Sequence, residues 1–201
     1  MALNCLLGKR LILLTSIAVA LAADKDKPKL EINPAGSYPH HMSSQGVTIA
    51  AVPYETEEQT KTAFGKVNPN ASGVLPVLIV LENNSPNTIR LEGMKLEYTA
   101  QGGIRIENTP ASEVRFLRGA REPKMSPGPV GGVHVSRNKN PLNEWEIEGR
   151  AFSAKMIPPN DRASGFFYFQ TGSRGGATVV VSGLRDAKSG QELFFFEIPL
   201  K

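Results

Sequence analysis

The sequence predicts an all-β fold, an antiparallel β-sandwich with at most one short helix, on three observations. The stretch Val74–Glu82 is almost entirely apolar, rich in β-branched residues and closed by turn formers at 83–87, which is typical of a strand that is buried on both faces or lies at the centre of a sandwich. Several later segments alternate apolar and polar residues, and clusters of Gly, Pro and Asn separate them. Helical periodicity is almost absent. A helix over 74–82 is the weaker interpretation, because Pro76 would have to lie in its first turn.

Residues 1–22 have the layout of a secretory signal peptide. Lys9 and Arg10 precede an uncharged run at 11–22, which ends in the small-residue pattern Ala20-Leu21-Ala22. A membrane anchor is the alternative, but the run has about a dozen residues and a spanning helix needs roughly 20. We therefore expect a secreted or periplasmic protein without a stable membrane span after cleavage.

Removal of this segment also decides the cysteine chemistry and the charge. Cys5 is the only cysteine, so the mature chain would have no disulfide, no thiolate nucleophile and no Cys-ligated zinc. The formal net charge would fall from +4 to +2, because Lys9 and Arg10 are removed and no acidic residue is. A charge this small does not indicate nucleic acid as the partner.

The mature chain divides into an N-terminal linker or arm at residues 23–45 and a β-sandwich domain at 46–201. The arm contains several prolines, and only Leu30-Glu31-Ile32 could pair as a short strand. His40 and His41 lie in it. Because no third ligand stands at a useful spacing, two solvated histidines are a better interpretation than a metal site.

The first half of the domain predicts one helix among short strands. Gly46–Val52 predicts the first strand. Thr56-Glu57-Glu58-Gln59 has the form of a capping box, which predicts a short helix, or one turn of helix, to about Phe64. After the strand at 74–82, alternating segments follow at 88–92, 94–99 and 104–107. An alternation of apolar and polar residues gives each strand one buried and one solvent-exposed face, which indicates antiparallel pairing.

Residues 118–142 interrupt the strand pattern with many glycines and prolines. Their formal charge is +4, from five Lys and Arg residues against Glu122. A loop this long in a compact domain is usually functional or disordered, and binding residues are common on loops held by a rigid frame. The candidate binding residues are Arg118, Arg121, Lys124, His134, Arg137 and Lys139.

Glutamates follow this loop at every second position. Glu144, Glu146 and Glu148 alternate with Trp145 and Ile147, which predicts a strand with the two apolar side chains inward and the carboxylates outward. Neighbouring carboxylates on one strand face would lie about 7 Å apart, within the range of an inverting glycosidase pair. Exposed charge paired with the preceding loop, at Arg121 or Lys124, is the better interpretation.

The last third predicts an aromatic strand at Gly165–Gln170 and a terminal hairpin. The hairpin strands are Ala177–Ser182 and Glu192–Ile198, with turn residues at 186–190. On the aromatic strand, and in the run Phe194-Phe195-Phe196 of the last strand, alternate rings must point to opposite faces. One face is core; the other is covered by the arm or the long loop, or is an exposed interaction surface.

Three segments resemble the immunoglobulin-like β-sandwich domains of secreted and envelope proteins. They are the strand, Asn-rich turn and strand at 74–91, the Pro-containing turn and aromatic strand at 156–170, and the closing hairpin at 177–200. The Cys-Trp-Cys core of antibody domains is absent, since the mature chain has no cysteine. Members of this broad group serve mostly as binding or structural modules, so the resemblance implies no catalysis and transfers no site residue.

Catalytic motifs are missing from the sequence. No G-x-S-x-G nucleophile elbow, phosphate-binding loop or dinucleotide fingerprint occurs. We therefore expect a non-catalytic binding or structural module that presents the basic loop to an envelope or extracellular protein or glycan, with no cofactor, no metal and no nucleic acid. The alternative is a hydrolase of an envelope polymer that uses the face formed by Glu144, Glu146 and Glu148.

Overall fold

The computed structural model describes residues 30–117, 124–127, 133–136, 142, 145–172 and 175–200, the segments 124–127 and 133–136 by their backbone. The strands are β1 His41–Ser44, β2 Val47–Pro53, β3 Leu75–Asn83, β4 Ile89–Arg90, β5 Lys95–Thr99, β6 Arg105–Thr109, β7 Lys124–Pro127, β8 Val133–Ser136, β9 Met156–Ile157, β10 Asp161–Phe169, β11 Ala177–Ser182, β12 Arg185–Asp186 and β13 Phe196–Leu200. The helices are α1 Glu57–Phe64, α2 Ala111–Val114 and α3 Trp145–Gly149, with single 3-10 turns at Ala35–Ser37 and Asn70–Ser72.

The main strands form one antiparallel sheet that folds over on itself. The strand order is β1-β2-β3-β10-β6-β5-β11-β13. Among the described residues, strand pairing links its halves only where Tyr168 and Phe169 of β10 pair with Thr109 and Asn108 of β6. The antiparallel β-sandwich that the sequence predicts is therefore confirmed, and the resemblance to such domains holds at the level of architecture.

The inner core lies between the two halves of the sandwich. Strand β3 contributes Val77, Ile79 and Leu81, and the facing strands contribute apolar side chains such as Val179 and Ile198. Each of these residues alternates with one that points away, as expected for a pleated strand.

A second core covers the outer face of β3 and β10, which makes the domain three layers deep. Leu78, Phe166 and Tyr168 pack there against Phe64 of α1 and Ile147 of α3. Because both faces are covered, β3 is buried almost throughout, as its apolar sequence predicts.

The aromatic strand β10 is covered on both faces. The ring centroids of Phe64 and Phe166 are 4.8 Å apart, and Tyr54 meets Phe166 edge to face. Leu30 and Ile32 of the predicted arm and Leu142 of the predicted loop also pack on this layer. The covering that we expect from the arm and the loop is therefore present, with α1 as a further part of it.

The predicted arm contributes a strand to the sheet. Strand β1 pairs with β2 through a two-residue turn, in which Gln45 and Gly46 have φ values of 51° and 77°. The prediction that only Leu30-Glu31-Ile32 could pair in this region is wrong. The strand-forming signal of residues 41–44 is weak because β1 is an exposed edge strand with little apolar sequence.

The helix predicted from the capping box is present as α1. The Thr56 side chain accepts a hydrogen bond from the backbone N–H of Gln59, whose own side chain bonds the N–H of Thr56. The prediction of at most one short helix is wrong, because α2 and α3 also form. Both are single turns of four or five residues, and such turns leave no periodicity in a sequence.

The terminal hairpin forms, but its second strand starts later than predicted. Strands β11 and β13 pair antiparallel from Ala177 opposite Leu200 to Val181 opposite Phe196. The residues just before Phe196 do not continue the pairing with β11. Glu192 forms an isolated bridge with Arg185 of β12, and β12 pairs with β4 in a separate small sheet. Phe194 and Phe195 therefore lie outside the strand that the sequence predicts for them.

Candidate functional site

Within the basic loop, the structure describes a small hairpin. Strands β7 and β8 pair antiparallel, with Lys124 opposite Ser136 and His134 opposite Ser126. In the part of the chain that is described, this hairpin pairs with no other strand. Two of the six candidate binding residues, Lys124 and His134, thus lie on its strands. The other four, Arg118, Arg121, Arg137 and Lys139, are outside the described residues.

Both ends of the basic loop rest on the outer core layer. Leu117 precedes the loop and packs on this layer, and Leu142, the last residue of the loop, is buried there. Helix α2 lies just before the loop, with Val114 fully buried. The loop therefore begins and ends at anchored positions of the sandwich.

The segment after the loop is a helix, and the prediction of a strand there is wrong. Residues 145–149 form α3; Ile147 is buried as predicted, but Trp145 is 62% exposed. A Cβ built at Gly149 would lie 2.9 Å from the Trp145 ring, which packs over the next helical turn. This contact between positions i and i+4 forms only in a helix.

The helix also removes the predicted arrangement of carboxylates. Residues two positions apart on a helix point about 200° apart, so Glu146 and Glu148 do not share one face. The carboxylate of Glu148 lies 3.6 Å from the Arg115 guanidinium. Glu144 and the predicted partner Arg121 lie outside the described residues, and of Lys124 only the backbone is described.

Tyr168 fixes α3 to the aromatic strand. Its hydroxyl donates a 2.7 Å hydrogen bond to the carbonyl oxygen of Ile147. Burial raises the pKa of this phenol, and the nearby Arg150 charge opposes that rise only in part. Phe166 adds a second link, because its N–H donates to the carbonyl of Arg150 and its carbonyl accepts from Phe152.

Replacing Tyr168 by phenylalanine is expected to cost about 1 kcal/mol of unfolding free energy at neutral pH, because the Ile147 carbonyl loses its partner. The raised folded-state pKa stabilises the protein only while the phenol is protonated. Stability of the unmodified protein should therefore fall as the pH rises above about 10, the ordinary tyrosine value. Urea unfolding from pH 7 to 11 should show a smaller fall for Tyr168→Phe. An equal fall in both proteins would contradict the assignment, and Tyr38→Phe serves as the control.

An aromatic groove lies at the opposite side of the sandwich. Phe194 and Phe195 are 70% and 58% exposed, whereas the next residue, Phe196, is fully buried. The groove has a volume of about 540 Å³ and is lined by Met42, Thr178, Phe194, Phe195, Glu197 and Pro199. The sequence signal for it is the run of three phenylalanines, since consecutive rings on a strand cannot all face the core.

A smaller polar cavity of about 200 Å³ lies near the β12 turn. Asp186 accepts hydrogen bonds there from the N–H groups of Lys188 and Ser189 and from the Asn87 side chain. The pKa of Asp186 is lowered, first by the bond from the Ser189 backbone and also by those from Asn87 and Lys188. These hydrogen bonds engage the Asp186 carboxylate and hold the turn in place. The acidic side chain in the lining of this cavity therefore has a structural role.

The described residues give no sign of a metal centre or a membrane helix. No group of three or more His, Cys, Asp and Glu residues among them is placed to hold a metal ion. His41 lies on the edge strand β1, where its ring contacts the carbonyl oxygen of Tyr38. No helix in the described ranges is long and apolar enough to span a bilayer.

Comparison of the sequence with family models and with curated proteins finds no match. Among solved structures, a secreted protein from Mycobacterium tuberculosis is similar, with 12% identity, a TM-score of 0.34 and coverage of 82% of this chain and 95% of that one. A DUF4426 family protein from Pseudomonas aeruginosa has 11% identity, a TM-score of 0.30 and coverage of 80% and 92%. An uncharacterized β-sandwich protein from Clostridium difficile has 11% identity, a TM-score of 0.33 and coverage of 88% and 100%. The sandwich architecture of this chain follows from its own strand order.

Proposed function

We propose that the mature protein is a secreted or periplasmic, non-catalytic binding module that presents its basic loop, residues 118–142, to an acidic protein or glycan. The observation that carries this proposal is the β7–β8 hairpin, which pairs outside the main sheet within the described residues. The loop ends at Leu142, which is anchored in the outer core layer. A rigid sandwich that holds such a loop is a common frame for recognition.

The charge distribution supports an acidic partner. The loop carries a formal +4, and the chain after residue 22 carries +2, so the remainder of the mature chain carries −2. The basic charge is therefore concentrated in one loop on an otherwise slightly acidic body. Such an asymmetry attracts anionic partners and favours their orientation on approach.

A hydrolase that uses the Glu144, Glu146 and Glu148 face is the weaker proposal. That proposal depends on three carboxylates on one face of a strand. Residues 145–149 are helical, so Glu146 and Glu148 point in different directions. Glu148 is instead close to Arg115, which gives it a structural explanation. Binding through the basic loop needs no such arrangement.

The first test neutralises the loop and measures binding to heparin and to polyglutamate. Replacement of Arg118, Arg121, Lys124, Arg137 and Lys139 by glutamine should weaken binding at least about tenfold and reduce its salt dependence. The matched control replaces five exposed lysines elsewhere, at positions 61, 66, 95, 155 and 188. Equal weakening in both variants would show that only net charge matters and would overturn the proposal.

A second test exchanges residues 119–141 for a short Gly/Ser linker and retains Leu117 and Leu142. The melting temperature should stay within about 4 °C of the unmodified value, because a change of 1 kcal/mol shifts a domain of this size by roughly 2–4 °C. Partners cross-linked by the mature chain in its native envelope should not be captured by the exchanged chain. A protein that unfolds after the exchange would make the loop structural and contradict the proposal.

A further inference from the structure

The aromatic groove lies on the outer face of the half-sheet that ends at β13. Thr178, Glu197 and Pro199 alternate with the buried residues of β11 and β13, so they point away from the inner core. The two exposed rings, Phe194 and Phe195, lie beside them. Adjacent exposed phenylalanines at a groove are uncommon on a monomer surface and typically mark an interaction site.

The groove borders the seam where the two ends of the sheet approach each other. Strands β1 and β13 are the two ends of the strand order, and among the described residues they are not paired with each other. The N–H of Glu197 donates to the Met42 sulfur at 3.4 Å, and the N–H of Phe194 donates to the Gln45 side-chain oxygen at 3.2 Å.

These contacts disfavour the addition of another strand at β13. The outward N–H of Glu197 is already used, and Pro199, two residues further along the same edge, has no N–H to donate. Proline on an edge strand is a common protection against strand pairing. A partner at this groove must therefore be recognised through side chains.

A row of carboxylates extends from the groove across the same outer face. Glu197 stands opposite Val180, Val180 opposite Glu97, and Glu97 opposite Glu107. At about 4.8 Å per strand the row is roughly 14 Å long. Glu97 has an exposed ion pair with Arg105 at 3.7 Å, and the structure as described gives Glu107 and Glu197 none.

We propose that this groove and the adjoining carboxylate row form a second binding surface, which takes a basic and apolar peptide segment of a partner protein. Apolar side chains would lie against Phe194, Phe195 and Met42, and Lys or Arg side chains would reach the carboxylates. Aromatic faces beside a carboxylate attract cations, because the ring quadrupole and the charge act in the same direction. None of the residues that define this surface belongs to the basic loop, and the surface selects the opposite charge.

The test titrates a labelled peptide, in which lysine alternates with leucine, into the mature protein and follows its fluorescence anisotropy. Phe194→Ala with Phe195→Ala should weaken binding at least about tenfold, as expected for aromatic residues that dominate an interface. Glutamine at positions 97, 107 and 197 should weaken it to a similar degree. A peptide in which glutamate alternates with leucine should not bind to this surface.

Matched controls distinguish specific binding at this surface from non-specific binding to other exposed apolar and acidic side chains. Met156→Ala removes an apolar side chain that is 55% exposed on β9, and glutamine at positions 57, 58 and 92 removes the same number of exposed carboxylates. Both controls should bind the lysine peptide as the unmodified protein does. Equal losses in the groove and control variants would overturn the proposal, and so would binding of the glutamate peptide that the Phe194 and Phe195 changes weaken as much as they weaken binding of the lysine peptide. A dimer of the unmodified protein that dissociates when Phe194 is replaced by alanine would also overturn the proposal, because the groove would then be occupied by a second copy of the chain.

Discussion

Replacing Gly183 by alanine is expected to lower the free energy of unfolding by about 2–5 kcal/mol. Gly183 connects β11 to β12 with a φ of +78°, and a Cβ placed there would lie 2.1 Å from the carbonyl oxygen of Gly93. The left-handed conformation costs about 1–2 kcal/mol for a residue with a Cβ. Separating two packed backbone segments costs about 1–3 kcal/mol more.

Gly190 provides a control that isolates the two contributions. Its φ is +72°, close to that of Gly183, but no atom outside Gly190 and its two chain neighbours lies within 4 Å of an added Cβ. Gly190→Ala should therefore show only the cost of the conformation. Urea unfolding of the two variants measures the difference, which reports the contact between Gly183 and Gly93. Equal destabilisation would mean that the loop containing Gly93 moves aside without cost.

The fold was predictable where one interaction dominates a stretch of sequence. Residues 74–82 are apolar at nearly every position because β3 lies between two cores, so burial alone determines their structure. The alternating residues of segments 94–99 and 104–107 indicate which face of each strand is exposed to solvent, and both segments form strands, β5 and β6. In each case the local pattern and the tertiary environment agree.

The short helix α3 was not predictable from its alternating residues. Five residues fit a strand or a single helical turn equally well, and only tertiary contacts decide between them. Here Tyr168, which is 21 residues away, bonds the carbonyl of Ile147, and Trp145 packs over Gly149. Long-range contacts of this kind are outside the reach of periodicity.

The two candidate surfaces were predictable to different degrees. The basic loop is evident from its charge and its glycines and prolines, which are properties of the chain alone. The phenylalanine run indicated that a ring must face outward, but not which one. The groove itself depends on Met42, which meets Glu197 across 155 residues of sequence, so only the closed sandwich brings its parts together.

Replacing Asn83 by aspartate is expected to destabilise the protein by about 3–5 kcal/mol at pH 7. Asn83 is fully buried at the end of β3, and its Nδ2 donates to the carbonyl oxygens of Asn87, Ile157 and Pro158 at 2.8, 3.0 and 3.0 Å. Aspartate has nearly the same shape but would place a second oxygen against these three acceptors. An ionised carboxylate there is repelled and desolvated, while a protonated one can still donate a single bond.

This substitution should give the stability a characteristic dependence on pH. Burial and the facing carbonyls would raise the folded-state pKa of Asp at position 83 above its unfolded value of about 3.9. The variant should therefore be least impaired below that value and lose stability as the pH rises through the folded-state pKa. Urea unfolding between pH 4 and 7 measures the difference from the unmodified protein, which should widen with pH. Ser85→Ala, which removes one donor to the Asn83 oxygen, should cost about 1 kcal/mol at every pH, and a pH-independent difference for Asn83→Asp would contradict the role assigned to these hydrogen bonds.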